Sequence, residues 1–168
     1  MPTNPRKTLV KEIMQRKVHT VYSNQTIFDA AVLMSSKSIG TIPVINEEEN
    51  LTGILTDRDI VTNCIAIGKE PKKTKVSECM TLNPIRTVPS STIGDAITLI
   101  SEYGVRRLPI VEKDKLVGLV SISDISAVSS FCQNERFPND SCILIEIAKE
   151  TQKSSLIKDQ NKSCNIWN

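Results

Sequence analysis

The sequence contains a single histidine, His19, and five cysteines, Cys64, Cys79, Cys132, Cys142 and Cys164, none of them in a C-x-x-C pair. A bound metal needs clustered His, Cys or carboxylate ligands, and no spacing here supplies such a cluster. The odd cysteine count and the absence of an apolar leader in MPTNPRKTLV fit a reducing compartment. No run approaches the roughly 20 apolar residues of a membrane span. With a net charge of +2 and 24% charged residues, the chain also lacks the basic excess of a nucleic-acid binder. Its densest basic run, Lys72, Lys73 and Lys75, reads as a solvated linker. The expectation is a cytoplasmic protein with no membrane and no nucleic-acid partner. Its 168 residues suffice for one buried core without disulfides or a metal.

What the sequence does have is duplication. GILTDRDI at 53–60 returns as GLVSISDI at 118–125. VKEIM at 10–14 answers to VSECM at 76–80, HTVYSNQTIFDAAVLM at 19–34 to RTVPSSTIGDAITLI at 86–100, and TIPVIN at 41–46 to RLPIVE at 107–112. Such self-similarity must be read before any single motif, because it decides the fold.

Both copies carry the same elements. Ile27, Ala30, Ala31 and Met34 recur at i, i+3, i+4, i+7, as do Ile93, Ala96, Ile97 and Ile100, so each copy has an amphipathic helix. Thr26 with Asp29, and Thr92 with Asp95, fit capping boxes at their starts. TIPVI and LTGIL read as strands around the acidic turn NEEEN, and RLPIV and LVGLV as strands around EKDK. A second helix is expected over TDRDIVTNCIAI and over SISDISAVSS. Two such units, each too small to be comfortable alone, predict one pseudo-twofold α+β module of β-α-β-β-α repeats packed through their sheets. The boundaries read as repeat 1 at 8–68, a linker at 69–75, repeat 2 at 76–130, and a C-terminal extension at 131–168, expected to be partly disordered and to leave Trp167 exposed.

The repeated phrase admits two readings. Thr56 with Asp59, and Ser121 with Asp124, have the T-x-x-D spacing of a capping box and need do nothing else. Yet Gly53 and Gly118 lie inside apolar strands, where glycine often marks close approach by a ligand or another backbone. A hydroxyl and an aspartate at a strand–helix junction also suit phosphate and ribose. The residues alone leave both readings open. Catalysis has no support: His19 corresponds to Arg86 in the other copy, and no nucleophile has a base beside it.

The ordered set of lead-in, capped helix, h-P-h strand at Pro43 and Pro109, and G-h-h-[ST]-x-x-D, seen twice over residues 8–130, resembles a tandem pair of CBS domains. This regulatory module is named after cystathionine β-synthase. The resemblance implies clefts for adenosine-containing ligands. In one, Asp59 would bind ribose beside Thr56, with Thr20 and Val21 framing the base. In the other, Asp124 and Ser121 would do so, framed by Thr87 and Val88. Arg106 and Arg107, where the first copy has Gly40 and Thr41, would reach phosphates, as guanidinium forks suit; Arg58 is the first copy's candidate. The implied function is a stand-alone, non-enzymatic sensor that forms a homodimer and modulates an unidentified partner. No cofactor is required. The regulatory ligand would be AMP, ADP or ATP, with S-adenosylmethionine, NADH and cyclic di-AMP ranked behind. The competing class is a ligand-free interaction or dimerisation module.

Overall fold

The computed structural model describes residues 5–131. Most of the expected C-terminal extension, with Cys132, Cys142, Cys164 and Trp167, lies outside the described residues. The regular elements in chain order are α1 (Val10–Ile13), β1 (Val21–Tyr22), α2 (Ile27–Lys37), β2 (Thr41–Ile45), β3 (Leu51–Thr56), α3 (Asp57–Ile60), β4 (Thr81–Leu82), α4 (Ile93–Tyr103), β5 (Arg107–Glu112), β6 (Lys115–Ser121) and α5 (Ile122–Phe131). This is the mixed α+β repeat that the sequence predicts. None of the described helices is long and apolar enough to cross a membrane.

The chain divides into two compact units. Among the described residues, one comprises 15–86 and 111–118; the other comprises 5–14, 87–110 and 119–131. The first holds a four-stranded sheet in the order β1-β2-β3-β4. There β1 runs parallel to β2, with Val21 opposite Val44, and β2 runs antiparallel to β3, with Thr41 opposite Thr56. Ile27, Ala30 and Met34 turn inward from α2, as their spacing requires, onto Ile42, Val44 and Leu55.

The core is completed by a segment from the start of the second repeat. Val76 and Cys79, almost wholly buried, pack into this cluster. The segment is held by Ile27 N–H donating to Thr74 O at 2.9 Å and Val76 N–H to Gln25 O at 2.8 Å. The second unit mirrors this with the lead-in of the first repeat: Ile93 N–H donates to Thr8 O at 2.9 Å and Val10 N–H to Ser91 O at 2.8 Å. Each lead-in therefore completes the core of the other repeat.

Two expectations change in detail. The helix expected over TDRDIVTNCIAI is one α turn followed by a π-helical turn, Val61–Ile65, closed by Ala66 N–H to Val61 O at 2.8 Å. The second copy's counterpart of β1 is reduced to a single parallel bridge, Thr87 to Ile110. The hairpin turn between β5 and β6 is only Lys113–Asp114. Both residues have positive φ, 50° and 65°, as the two-residue hairpin with matching twist requires.

Candidate functional site

The geometry of the repeated phrase starts from its hydroxyl residue. Thr56 ends β3 in extended backbone and caps α3. Its Oγ1 accepts from Asp59 N–H at 3.1 Å and donates to Asp59 Oδ2 at 2.6 Å, while Thr56 N–H donates to the same Oδ2 at 2.9 Å. In the second copy Ser121 Oγ donates to Asp124 Oδ2 at 2.5 Å and accepts from Asp124 N–H at 3.3 Å, and Ser121 N–H donates to Oδ2 at 2.8 Å.

The same three bonds recur at Thr26–Asp29 and Thr92–Asp95. All four aspartates therefore do the work of a capping box, and the box itself marks no site. Position distinguishes them. Asp29 and Asp95 are exposed, whereas Asp59 and Asp124 are half-buried. Hydrogen bonds from Thr26 and Thr92 hold the Asp29 and Asp95 carboxyls below their ordinary pKa.

The residues singled out in the sequence fall into two constellations, each within one compact unit: Thr20, Val21, Thr56, Arg58 and Asp59 in one, and Thr87, Val88, Arg106, Arg107, Ser121 and Asp124 in the other. A backbone hydrogen bond fastens each box to the start of the neighbouring strand. Asp57 N–H donates to Gly40 O at 3.1 Å, and Ile122 N–H donates to Arg106 O at 3.2 Å. Arg106 is thereby fixed beside the Ser121–Asp124 box with its side chain exposed; Arg107 is half-buried. Arg58 is exposed on α3.

The proposed base-framing residues are less uniform. Val21 is buried in the core, so only its backbone is available. Thr87 is also buried, its Oγ1 donating to Ser91 Oγ at 2.7 Å, while Val88 is exposed. Thr20 lines a hollow of about 150 Å³ with Arg16, Val18, Glu49, Leu116 and Gly118. Pockets that engulf a drug-sized ligand run from about 300 Å³ upward, so this one is scaled to a ring rather than a nucleotide. Thr56, Arg58 and Asp59 are not among its walls.

Gly53 answers to protein, not ligand. A Cβ there would lie 2.6 Å from Met80 Sδ and 3.0 Å from Thr81 O, on the neighbouring strand β4, where Leu82 stands opposite Gly53. Arg16, Glu49 and Asp57 are features that sequence reasoning missed. Arg16 and Glu49 carry no spacing signal. Asp57 had one, since Gly40 and Asp57 stand where the other copy has Arg106 and Ile122.

No catalytic group emerges among the described residues. Cys64 and Cys79 are free but buried, and burial together with the neighbouring Cys64 thiol pushes the Cys79 thiol above its ordinary pKa, opposite to an activated nucleophile. No group of three or more His, Cys, Asp or Glu able to hold a metal occurs among the described residues.

Comparison with known proteins gives a family match over residues 10–65 and 76–130, to the CBS domain. The chain is 42% identical over 117 residues to CBS domain-containing protein YhcV of Bacillus subtilis, covering 70% of this chain and 82% of that one. It is 31% identical over 119 residues to Hypoxic response protein 1 of Mycobacterium tuberculosis, covering 71% and 83%. Among solved structures, Hypoxic Response Protein I with two coordinated zinc ions matches with a TM-score of 0.67 at 31% identity, covering 71% and 98%. The CBS domain pair of MJ0100, in complex with 5′-methylthioadenosine and S-adenosyl-L-methionine, matches with a TM-score of 0.65 at 30% identity, covering 72% and 98%.

Proposed function

The chain belongs to the CBS-domain family, and from that premise we propose that it is a non-catalytic cytoplasmic sensor of adenosine-containing ligands, adenine nucleotides foremost. Asp124 binds the ribose diol, Ser121 stands beside it, and Arg106 and Arg107 meet the phosphates. Asp59, Thr56 and Arg58 form the second, non-equivalent site. Backbone at Thr20–Val21 and Thr87–Val88 frames the bases. Ligand binding shifts the protein between two states with different affinity for a separate partner, which requires that the ligand bind one state better. The sensor works as a homodimer.

One observation carries this reading. The Arg106 carbonyl accepts from the N–H of Ile122, the first residue of α5, so the backbone of Arg106, with Arg107 next in sequence, adjoins the box formed by buried Ser121 and half-buried Asp124. The complex of the MJ0100 domain pair with two adenosyl compounds supports the ligand class. The experiment is calorimetric titration with AMP, ADP, ATP, S-adenosylmethionine, NADH and cyclic di-AMP, repeated on Arg106→Ala. The reading expects a phosphorylated adenosine to bind and to weaken in the variant. Binding of none of the six sinks it.

A second reading, a ligand-free interaction module, is favoured by a different observation. Phe28 and Val32 on α2, with Val61 and Ile65 beyond α3, are exposed apolar residues, whereas the aligned residues of the second copy are Gly94, Thr98, Ser126 and Ser130. Sedimentation of Val32→Glu and Val61→Glu variants tests the face, a loss of self-association being the expected result; since the sensor is a homodimer too, this reading also expects none of the six adenosyl compounds to bind.

A further inference from the structure

In the first repeat Asp57 N–H donates to Gly40 O at 3.1 Å and the exposed Asp57 carboxylate lies over Gly40. A Cβ at Gly40 would lie 2.7 Å from Asp57 Oδ2 and 3.2 Å from its Cγ. The carboxylate is not idle there, because its Oδ1 accepts from Arg58 N–H at 2.7 Å. The space that a side chain at position 40 would enter is therefore held by a negative charge. At the aligned place in the second repeat, Arg106 has that space and Ile122 replaces the aspartate.

The two boxes thus carry opposite charge on the same scaffold. The first has Asp57 and Asp59 against Arg58, a formal balance of −1; the second has Asp124 against Arg106 and Arg107, a balance of +1. Hydroxyl, ribose-type aspartate and the strand-to-helix hydrogen bond are otherwise the same in both. On the sensor reading, in which Arg106 meets the phosphates, the difference falls on the part of a ligand beyond its ribose. Like charge near a phosphate disfavours it, and the effect is moderate at an exposed site because water and salt screen it.

We infer that Asp57, seated over Gly40, is a specificity-determining residue that turns the Thr56–Asp59 site away from phosphorylated ligands and toward neutral or cationic adenosyl compounds. The Ser121–Asp124 site keeps the phosphorylated ones. The inference rests on the sensor reading and sharpens it: the chain has two sites for two ligand classes, not two copies of one site.

The test uses the full chain carrying Asp124→Ala, so that the first site is read alone. It is titrated with adenosine, AMP and S-adenosylmethionine. Adenosine and S-adenosylmethionine are expected to bind at least about threefold more tightly than AMP, the scale of a screened charge–charge repulsion. Asp57→Asn added to this background keeps an Oδ1 acceptor for Arg58 N–H. It is expected to narrow the gap by strengthening AMP while leaving adenosine unchanged. If AMP binds as tightly as adenosine, or Asp57→Asn leaves the gap unmoved, the inference is overturned and the sensor reading stands. If none of the three binds while circular dichroism shows a folded chain, the sensor reading fails at this site and the inference falls with it.

Discussion

Asp59 and Asp29 are held by the same three hydrogen bonds, to Thr56 and to Thr26, yet Asp29 is exposed where Asp59 is half-buried. The second repeat has the same contrast between Asp95 and Asp124. Four equal caps, two of them recessed, provide an internal control for every claim about binding.

Replacing any of the four aspartates by alanine removes one side of a capping box, and the expected destabilisation is alike for all, about 1 kcal/mol. Urea denaturation of Asp29→Ala, Asp59→Ala, Asp95→Ala and Asp124→Ala checks this. A much larger loss at Asp59 or Asp124 would mean that these residues support the fold beyond their caps.

Stability should fall on the acid side, with a defined share from Asp29 and Asp95. Their folded pKa values lie below the ordinary 3.8, because Thr26 and Thr92 hydrogen-bond the charged form. A depressed folded pKa contributes stability above the unfolded value, and that stability disappears as pH drops through the folded one. The melting temperature should therefore hold through neutral pH and decline below about pH 4. Asp29→Asn and Asp95→Asn should show a shallower decline, measured by melting at stepped pH.

Gly53→Ala should destabilise by about 1–3 kcal/mol, the range for overpacking, since its Cβ would press on Met80 Sδ and Thr81 O. Shortening Met80 in the same chain relieves the sulfur contact but not the backbone one, so rescue should be partial. Denaturant midpoints of the single and double variants decide it. Full rescue would show that the backbone contact at Thr81 is harmless.

Val76→Ala should cost about 2 kcal/mol, the scale of a fully buried valine. Val76 is 0% exposed and packs with Ile27, Val44 and Leu55 of the preceding repeat. A surface-like cost below about 0.5 kcal/mol would contradict the exchange of lead-in segments.

The duplication made much of the fold legible. The buried stripes of α2 and α4, the four capping boxes and the β2 strand at TIPVI all follow from local periodicity and spacing. What stayed hidden depends on distant parts of the chain. The lead-in exchange rests on bonds such as Ile27 N–H to Thr74 O, which no local pattern encodes. β4 is two exposed residues, Thr81 and Leu82, without a hydrophobic signature. The π turn at Val61–Ile65 interrupts a segment whose apolar spacing reads as ordinary helix. At the candidate site, the boxes could be read but not their burial, and burial is what separates Asp59 and Asp124 from their capping twins.

The most direct measurement is calorimetric titration of AMP into Asp124→Ala and Asp95→Ala side by side with the unaltered chain. Each variant loses the aspartate of one capping box in the second repeat, Asp95 at α4 and Asp124 at α5, so the effect of losing a cap is shared. The account predicts that Asp95→Ala binds AMP like the unaltered chain and that Asp124→Ala loses it at the Arg106 site. Equal binding by both variants, or none by the unaltered chain, would contradict it.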